Sequence, residues 1–197
     1  MIQGDFMTAF SSEQKRNMIL DSAFYLFSTK GFYETKISEI AEHAGIAKGT
    51  VYLYFSSKEE LFKEITRRNF NVFLIELTDE LSKTDSFENK LNIIAKHHLT
   101  YFYSMRNHTR IFFQGLNNDP EFMQLMFEHI ENYVNLVSEI LDVESIIEAK
   151  LHAKAFIGIL ENYKMDILFS KDFTMEDLSQ RVSFAVKLFM NGYNNKE

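Results

Sequence analysis

No cysteine occurs in the 197 residues. Disulfides and thiolate metal sites are thereby excluded, and a reducing, cytoplasmic setting is expected. Proline occurs once, at Pro120, and glycine only seven times. No run approaches ~18 uninterrupted apolar residues, so no membrane-spanning helix is expected. The N-terminal stretch MIQGDFMTAF has neither a basic start nor a long apolar run, so no signal peptide is expected. A basic excess is also missing, since the formal net charge is -7. The distribution is uneven. Residues 1–68 carry nine Lys+Arg and nine Asp+Glu, and the whole acidic excess lies beyond them. The chain therefore does not coat nucleic acid, but its first third can still present a local basic face.

What the chain does contain is helical periodicity almost throughout. Ile19, Ala23 and Phe27 line one face of a first helix, opened by a Ser11/Gln14 capping box and closed by Gly31 in a left-handed conformation. Short helices are expected over roughly Ile37 to Ala44 and Lys48 to Phe55. A long one runs from a Ser57/Glu60 capping box to about Leu81. Asp85 with Glu88 opens the next, to about Met105, and Asp119 before Pro120 caps another. A short helix is expected near Thr109 to Leu116, and two long ones over Glu144 to Ser170 and Thr174 to Tyr193. The fold class is all-α with about nine helices. The expected division is 11–58, a helix-turn-helix domain, and 59–197, a larger helical domain.

The stretch ISEIAEHAGIAKGTVYLYF carries the chemistry. Ala41, Gly45 four residues later and Val51 ten residues later have helix-turn-helix spacing. Small Ala41 lets two helices cross closely, Gly45 supplies positive φ, and Val51 locks the second helix onto the first. With that face used, Lys48, Gly49, Thr50, Tyr52 and Tyr54 are left outward. Gly49 admits a close backbone approach. Thr50 offers a hydroxyl to a base or phosphate and a methyl to thymine. Tyrosine hydroxyls reach phosphates, and Lys58 adds a point charge.

The first helix, the turn KGFYETK, the helix pair and YLYFSSKEELF together resemble the DNA-binding region of the tetracycline-repressor (TetR) family of bacterial transcription regulators, over about Gln14 to Phe62. The resemblance implies that Thr35 and Ser38 touch the DNA backbone or a base, with Lys36 beside them where the family often has threonine. It places Lys48, Gly49, Thr50 and Tyr52 on the recognition helix, and Tyr54 and Lys58 at phosphate contacts. It further implies a homodimer on a double-stranded DNA operator, acting as a repressor, with middle helices enclosing a small-molecule effector and the last two helices pairing between subunits.

The later two-thirds hold 13 of the 20 phenylalanines. Phe73, Phe102, Met105, Phe113, Met126, Phe127, Phe156 and Tyr163 are the candidate effector-binding residues, with Tyr101, His98 and Asn162 as polar neighbours. Such a lining suits an apolar or amphipathic molecule, and the acidic balance leaves a cationic amphiphile open. The penultimate helix has two apolar stripes. Leu151, Ala155, Gly158 and Ile159 suit a dimer contact, while Phe156, Leu160, Tyr163 and Ile167 suit the core or pocket. On the last helix Leu178, Val182, Ala185 and Phe189 form one apolar side, and Phe184 and Leu188 another.

The histidines show no metal-binding spacing, and no catalytic or cofactor motif is present, so neither a metal, a cofactor nor an enzyme is expected. The alternative from another class is an all-α enzyme or small-molecule carrier using the aromatic cavity.

Overall fold

A computed structural model describes residues 11–106, 109 and 119–194. Among the described residues there are eight helices and no strand. They are α1 (Ser12–Lys30), α2 (Ile37–His43), α3 (Lys48–Tyr54), α4 (Lys58–Leu81), α5 (Phe87–Ser104), α6 (Pro120–Val143), α7 (Ala149–Phe169) and α8 (Met175–Asn194). The expected helix near Thr109 to Leu116 lies, Thr109 apart, outside the described residues.

Contacts divide the chain into two compact units between Thr66 and Arg67, inside α4. The sequence boundary at residue 58 marks where α4 starts. Its first turns, with Leu61, Phe62 and Ile65 buried, belong to the first unit.

In the first unit α2 packs on both α1 and α3. Phe27, Phe32 and Phe62 form a ring trio with centroids 5.1–5.8 Å apart. Ser11 and Gln14 form the expected capping box. Gly31 has positive φ, but its ψ of 157° is extended rather than left-handed helical. After α2 the chain reverses through Gly45 at φ +67°. The Ile46 N–H reaches the Ala41 carbonyl and the Gly45 N–H reaches that of Glu42, each at 3.0 Å, which is the full Schellman pair.

In the second unit α5 packs on α7 and α8, and α7 also packs on α6 and α8. Asp119 caps α6 as expected, accepting from the Phe122 N–H at 2.8 Å. Other caps differ from expectation. Ser86, not Asp85, caps α5, accepting from Asn89 N–H at 3.4 Å. Glu60 reaches back to Ser56 rather than Ser57, although Ser57 still accepts from the Glu60 N–H at 3.0 Å. The helix expected from Glu144 begins only at Ala149, because Ser145 and Glu148 take positive φ and break the chain between α6 and α7.

The two stripes of α7 separate except at Ile159 and Tyr163, which are both partly buried. Phe156, Leu160 and Ile167 are buried in the unit's core. Leu151 is 60% exposed, and Ala155, Gly158, Met165 and Phe169 share its exposed face. On α8 the same division holds, with Phe189 buried against Phe156 at 4.9 Å and Phe184 57% exposed beside exposed Leu188.

A side chain at Gly45 would meet no atom within 4 Å, so only backbone strain opposes it. Gly45→Ala is expected to lower stability by about 1–2 kcal/mol, and Gly45→Asn by less, since asparagine tolerates the left-handed region. The urea midpoint of the full chain measures both.

Candidate nucleic-acid interface and effector site

Helix α3 has seven residues, and burial of Val51 on it and Phe55 just after it turns one face inward. Lys48, Gly49 and Tyr52 are exposed, and Thr50 and Tyr54 are partly so. Lys48 Nζ lies 5.9 Å from the Tyr52 ring centre. Tyr54 OH accepts from the Ser12 hydroxyl at 3.2 Å, which orients the phenol at the edge of the same surface. Ser38 and Lys36 are exposed at the start of α2. Lys36 occupies the N-cap position without a side-chain cap, and Glu39 instead reaches back to its N–H at 2.9 Å. The Lys30 ammonium lies 2.8 Å from Glu39 and, with the hydrogen bond from Lys36, holds its carboxyl below the usual range. Nothing lies within 4 Å of where a Gly49 side chain would begin. Its own fold therefore does not need glycine there.

Two expected contacts are placed elsewhere. Thr35 is 1% exposed, and its hydroxyl donates to the carbonyls of Gly31 at 2.7 Å and Leu26 at 3.3 Å. Its side chain locks the turn and is not on the outward face. Lys58 donates to the carbonyls of Phe32 at 2.7 Å, Thr35 at 3.1 Å and Tyr33 at 3.3 Å. Its ammonium also stands 4.5 Å from the Phe32 ring centre. An ammonium has three protons. All three are directed at backbone oxygens, so Lys58 pins the start of α4 to the turn between α1 and α2 rather than reaching outward.

The expected effector residues are divided. Phe73 and Phe156 are buried, while Phe102, Met105, Met126 and Tyr163 are partly buried. Phe127 is 59% exposed and Asn162 is exposed, so both point away from an interior lining. Phe113 lies outside the described residues. Around Phe73 the rings of His97, His98, Tyr101 and Tyr133 gather at 4.8–6.3 Å. His98 is 1% exposed, and neither ring nitrogen has a hydrogen-bond partner. Burial, reinforced by Lys164 and His97, depresses its pKa to about 3. Burial, with Glu76 nearby, raises the Tyr101 phenol to about 12. The buried Tyr133 hydroxyl, also without a partner, is raised by burial and by Glu161. Sequence reading missed Tyr133 and Lys164, because a tyrosine and a lysine at helical spacing carry no mark of where their tips end. A shallow cleft on α4, lined by Leu74, Ile75, Thr78, Asp79 and Ser82, includes none of the expected residues.

The family model for bacterial regulatory proteins of the tetR family matches residues 19–65, which spans α1 from its middle through the first turns of α4. Over these residues the chain is of the TetR family. As a TetR regulator it is a DNA-binding transcriptional regulator. It is similar to the fatty acid metabolism regulator protein of Bacillus subtilis (strain 168), 22% identical over 191 residues that cover 92% of this chain and 97% of that one. It is similar also to IcaR, the negative transcriptional regulator of the biofilm operon icaADBC in Staphylococcus epidermidis. There the identity is 24% over 188 residues, covering 92% of this chain and all of that one. The solved structure of FadR from Bacillus subtilis in complex with stearoyl-CoA shares the fold. Its TM-score is 0.74 and its identity 22%, covering 89% of this chain and 98% of that chain. No helix among the described residues is long and apolar enough to cross a membrane.

Lys58→Ala in this TetR regulator is expected to lower stability by about 1–3 kcal/mol for a lost charged donor, read from the fall in the urea midpoint. The salt slope of DNA binding should stay unchanged. A slope reduced by about one would place the ammonium on a phosphate instead.

Gly49→Ala is expected to act in opposite directions on two readouts. Stability rises by about 0.5–1 kcal/mol, because alanine is the better helix former. Affinity for DNA falls, because the methyl stands where the backbone would approach. Thermal unfolding and a mobility shift on the same sample separate the two.

For His98 the folded value lies below the ordinary 6.5, so the unfolded chain takes the proton first as pH falls. The stability it contributes is complete above pH 6.5 and is lost as pH falls from there toward about 3. At pH 5 the loss is about 2 kcal/mol. His98→Asn should show a correspondingly smaller fall in stability between pH 7 and pH 5, measured by urea denaturation at each pH.

Proposed function

We propose that the chain is a homodimeric, cytoplasmic repressor that leaves a palindromic operator when an acyl or other amphipathic small molecule binds its second unit. The observation that carries the DNA-binding part is the outward face of α3. Lys48, Gly49, Thr50 and Tyr52 stand on a helix whose opposite face is fixed by buried Val51. With Lys36 and Ser38 at the start of α2, these residues form the proposed DNA surface. Tyr54 supports its edge.

The repressor and acyl-ligand parts draw on the relatives. IcaR is a negative regulator, and the fold is shared with a FadR bound to stearoyl-CoA. Phe73, Phe102, Met105, Met126, Phe156 and Tyr163 are the proposed apolar surroundings of the effector, and Phe113 belongs to the same proposal. The DNA-binding domain is proposed as residues 11–58 together with the first turns of α4, and the effector domain as the remainder.

The exposed apolar stripe of α7 and the Phe184–Leu188 side of α8 support the proposed dimer. Small Ala155 and Gly158 in that stripe permit close approach of a second copy. Two recognition helices then sit about one DNA repeat apart, ~34–36 Å, in successive major grooves.

Binding to the DNA upstream of its own coding sequence, and release by an acyl compound, test the whole reading. Turnover of that compound without any DNA binding would favour an enzyme. For the dimer, Phe184→Glu is expected to give a monomer in sedimentation that no longer binds a palindromic site, because an unpaired carboxylate in an apolar seam is costly. Phe189→Glu should unfold the second unit instead, since Phe189 is only 8% exposed within the single chain.

A further inference from the structure

The second unit holds a buried polar cluster that its packing does not explain. His98 on α5 has both ring nitrogens without a partner, and Tyr133 on α6 has its hydroxyl without one. The two rings stack with centroids 5.9 Å apart. Lys164 on α7 is buried as well, and its ammonium lies 4.7 Å from the Phe102 ring centre. Phe102 in turn stands 5.0 Å from His98. Three helices thus each send one buried polar side chain to the same group of rings.

Leaving a buried polar group without a partner costs about 1–3 kcal/mol. Two neighbouring residues in that condition, beside a buried ammonium, make poor sense as core alone. A packed core of this size would be more stable with phenylalanine at 133 and leucine at 98. What the three side chains offer together is donors: a phenol O–H, an imidazole N–H and an ammonium.

One carboxylate already lies at this place. Glu161, at the partly exposed end of the cluster, pairs with the Lys164 ammonium. Its other oxygen lies 3.6 Å from His98 Nε2, just beyond hydrogen-bond reach. The side chain of Glu161 is 45% exposed, so it can swing into water at small cost. Resting on the fatty-ligand reading above, we propose that His98, Tyr133 and Lys164 form the polar end of the effector site and take an oxygen acceptor, a carboxylate or a thioester carbonyl, at the head of an acyl chain. Glu161 holds the place of that head and leaves when the ligand arrives. The chain itself then lies among the rings of Phe73 and Phe102. A cationic amphiphile is disfavoured here, because its ammonium would meet that of Lys164.

The full-length protein is titrated calorimetrically with palmitate, palmitoyl-CoA and hexadecylamine, and operator binding is measured in parallel. Palmitate or palmitoyl-CoA is expected to bind, and hexadecylamine at least tenfold more weakly. Which of the first two binds better decides between the free acid and the thioester. Tyr133→Phe, which keeps the ring, should weaken the acyl ligand about tenfold while ligand-free operator binding stays at the wild-type level. Glu161→Gln should do the opposite and tighten it severalfold, because it removes the competing charge. The sign of that change separates a placeholder from a structural residue.

Equal binding of the amine overturns the proposal. So does wild-type affinity in Tyr133→Phe, or failure of all three compounds to bind. Loss of operator binding by the ligand-free wild-type chain would instead overturn the regulator reading and leave the titration to judge this site by itself.

Discussion

Seven residues do not make a stable helix in water, because the first turn fixes several torsions for one hydrogen bond. Helix α3 exists only because Val51 and Phe55 are buried against the rest of its unit. That burial has two effects at once. It orders the backbone, and it decides which side chains are left outside. Lys48, Thr50 and Tyr52 need no fold role of their own, since their presentation is set by residues between and beside them. The Lys58 ammonium extends the same logic to the surrounding turns. It ties α4 to the carbonyls of Phe32, Tyr33 and Thr35, so the frame around α3 is held by one lysine and a trio of phenylalanine rings.

Much of this was legible in the sequence where the signal is local. The Ala41–Gly45–Val51 spacing gave the helix pair, and the structure adds that Gly45 closes a complete Schellman pair. The Ser11 and Asp119 caps were readable because a cap and its partner lie three residues apart. Lys58 and Thr35 were not readable. Their partners lie 4–26 residues away, and a flexible or small polar side chain serves equally well inward or outward. The break between α6 and α7 was missed for a different reason. Ser145 and Glu148 adopt positive φ without glycine, so no residue type announces the turn.

The second unit shows the limit of reading apolar periodicity. It found the two faces of α7 and of α8, because exposed and buried stripes both repeat at helical spacing. It could not tell that Phe127 faces outward while Phe156 faces inward, since both are rings on amphipathic helices. It also weighted the rings and passed over Tyr133 and Lys164. In this unit the polar tips inside the ring cluster are more specific than the rings, because an apolar contact accepts many shapes and a buried donor accepts few partners.

The start of α3 has a consequence of its own. Its N-cap is Ala47, which offers no side-chain acceptor, and its first turn contains Lys48 and no acidic residue. Helices are ordinarily favoured by the reverse arrangement, an oxygen at the cap and negative charge in the first turn. The helix whose outward side is the proposed DNA surface is thus locally frustrated by the standards of folding alone. Selection for heat resistance in the laboratory would find easy gains there, with serine or aspartate at 47 and a helix former at 49. Each gain would put a side chain or a negative charge at the surface proposed to approach phosphates. On that reading ruggedness and operator recognition compete for the same short segment, so lineages selected for one would drift away from the other.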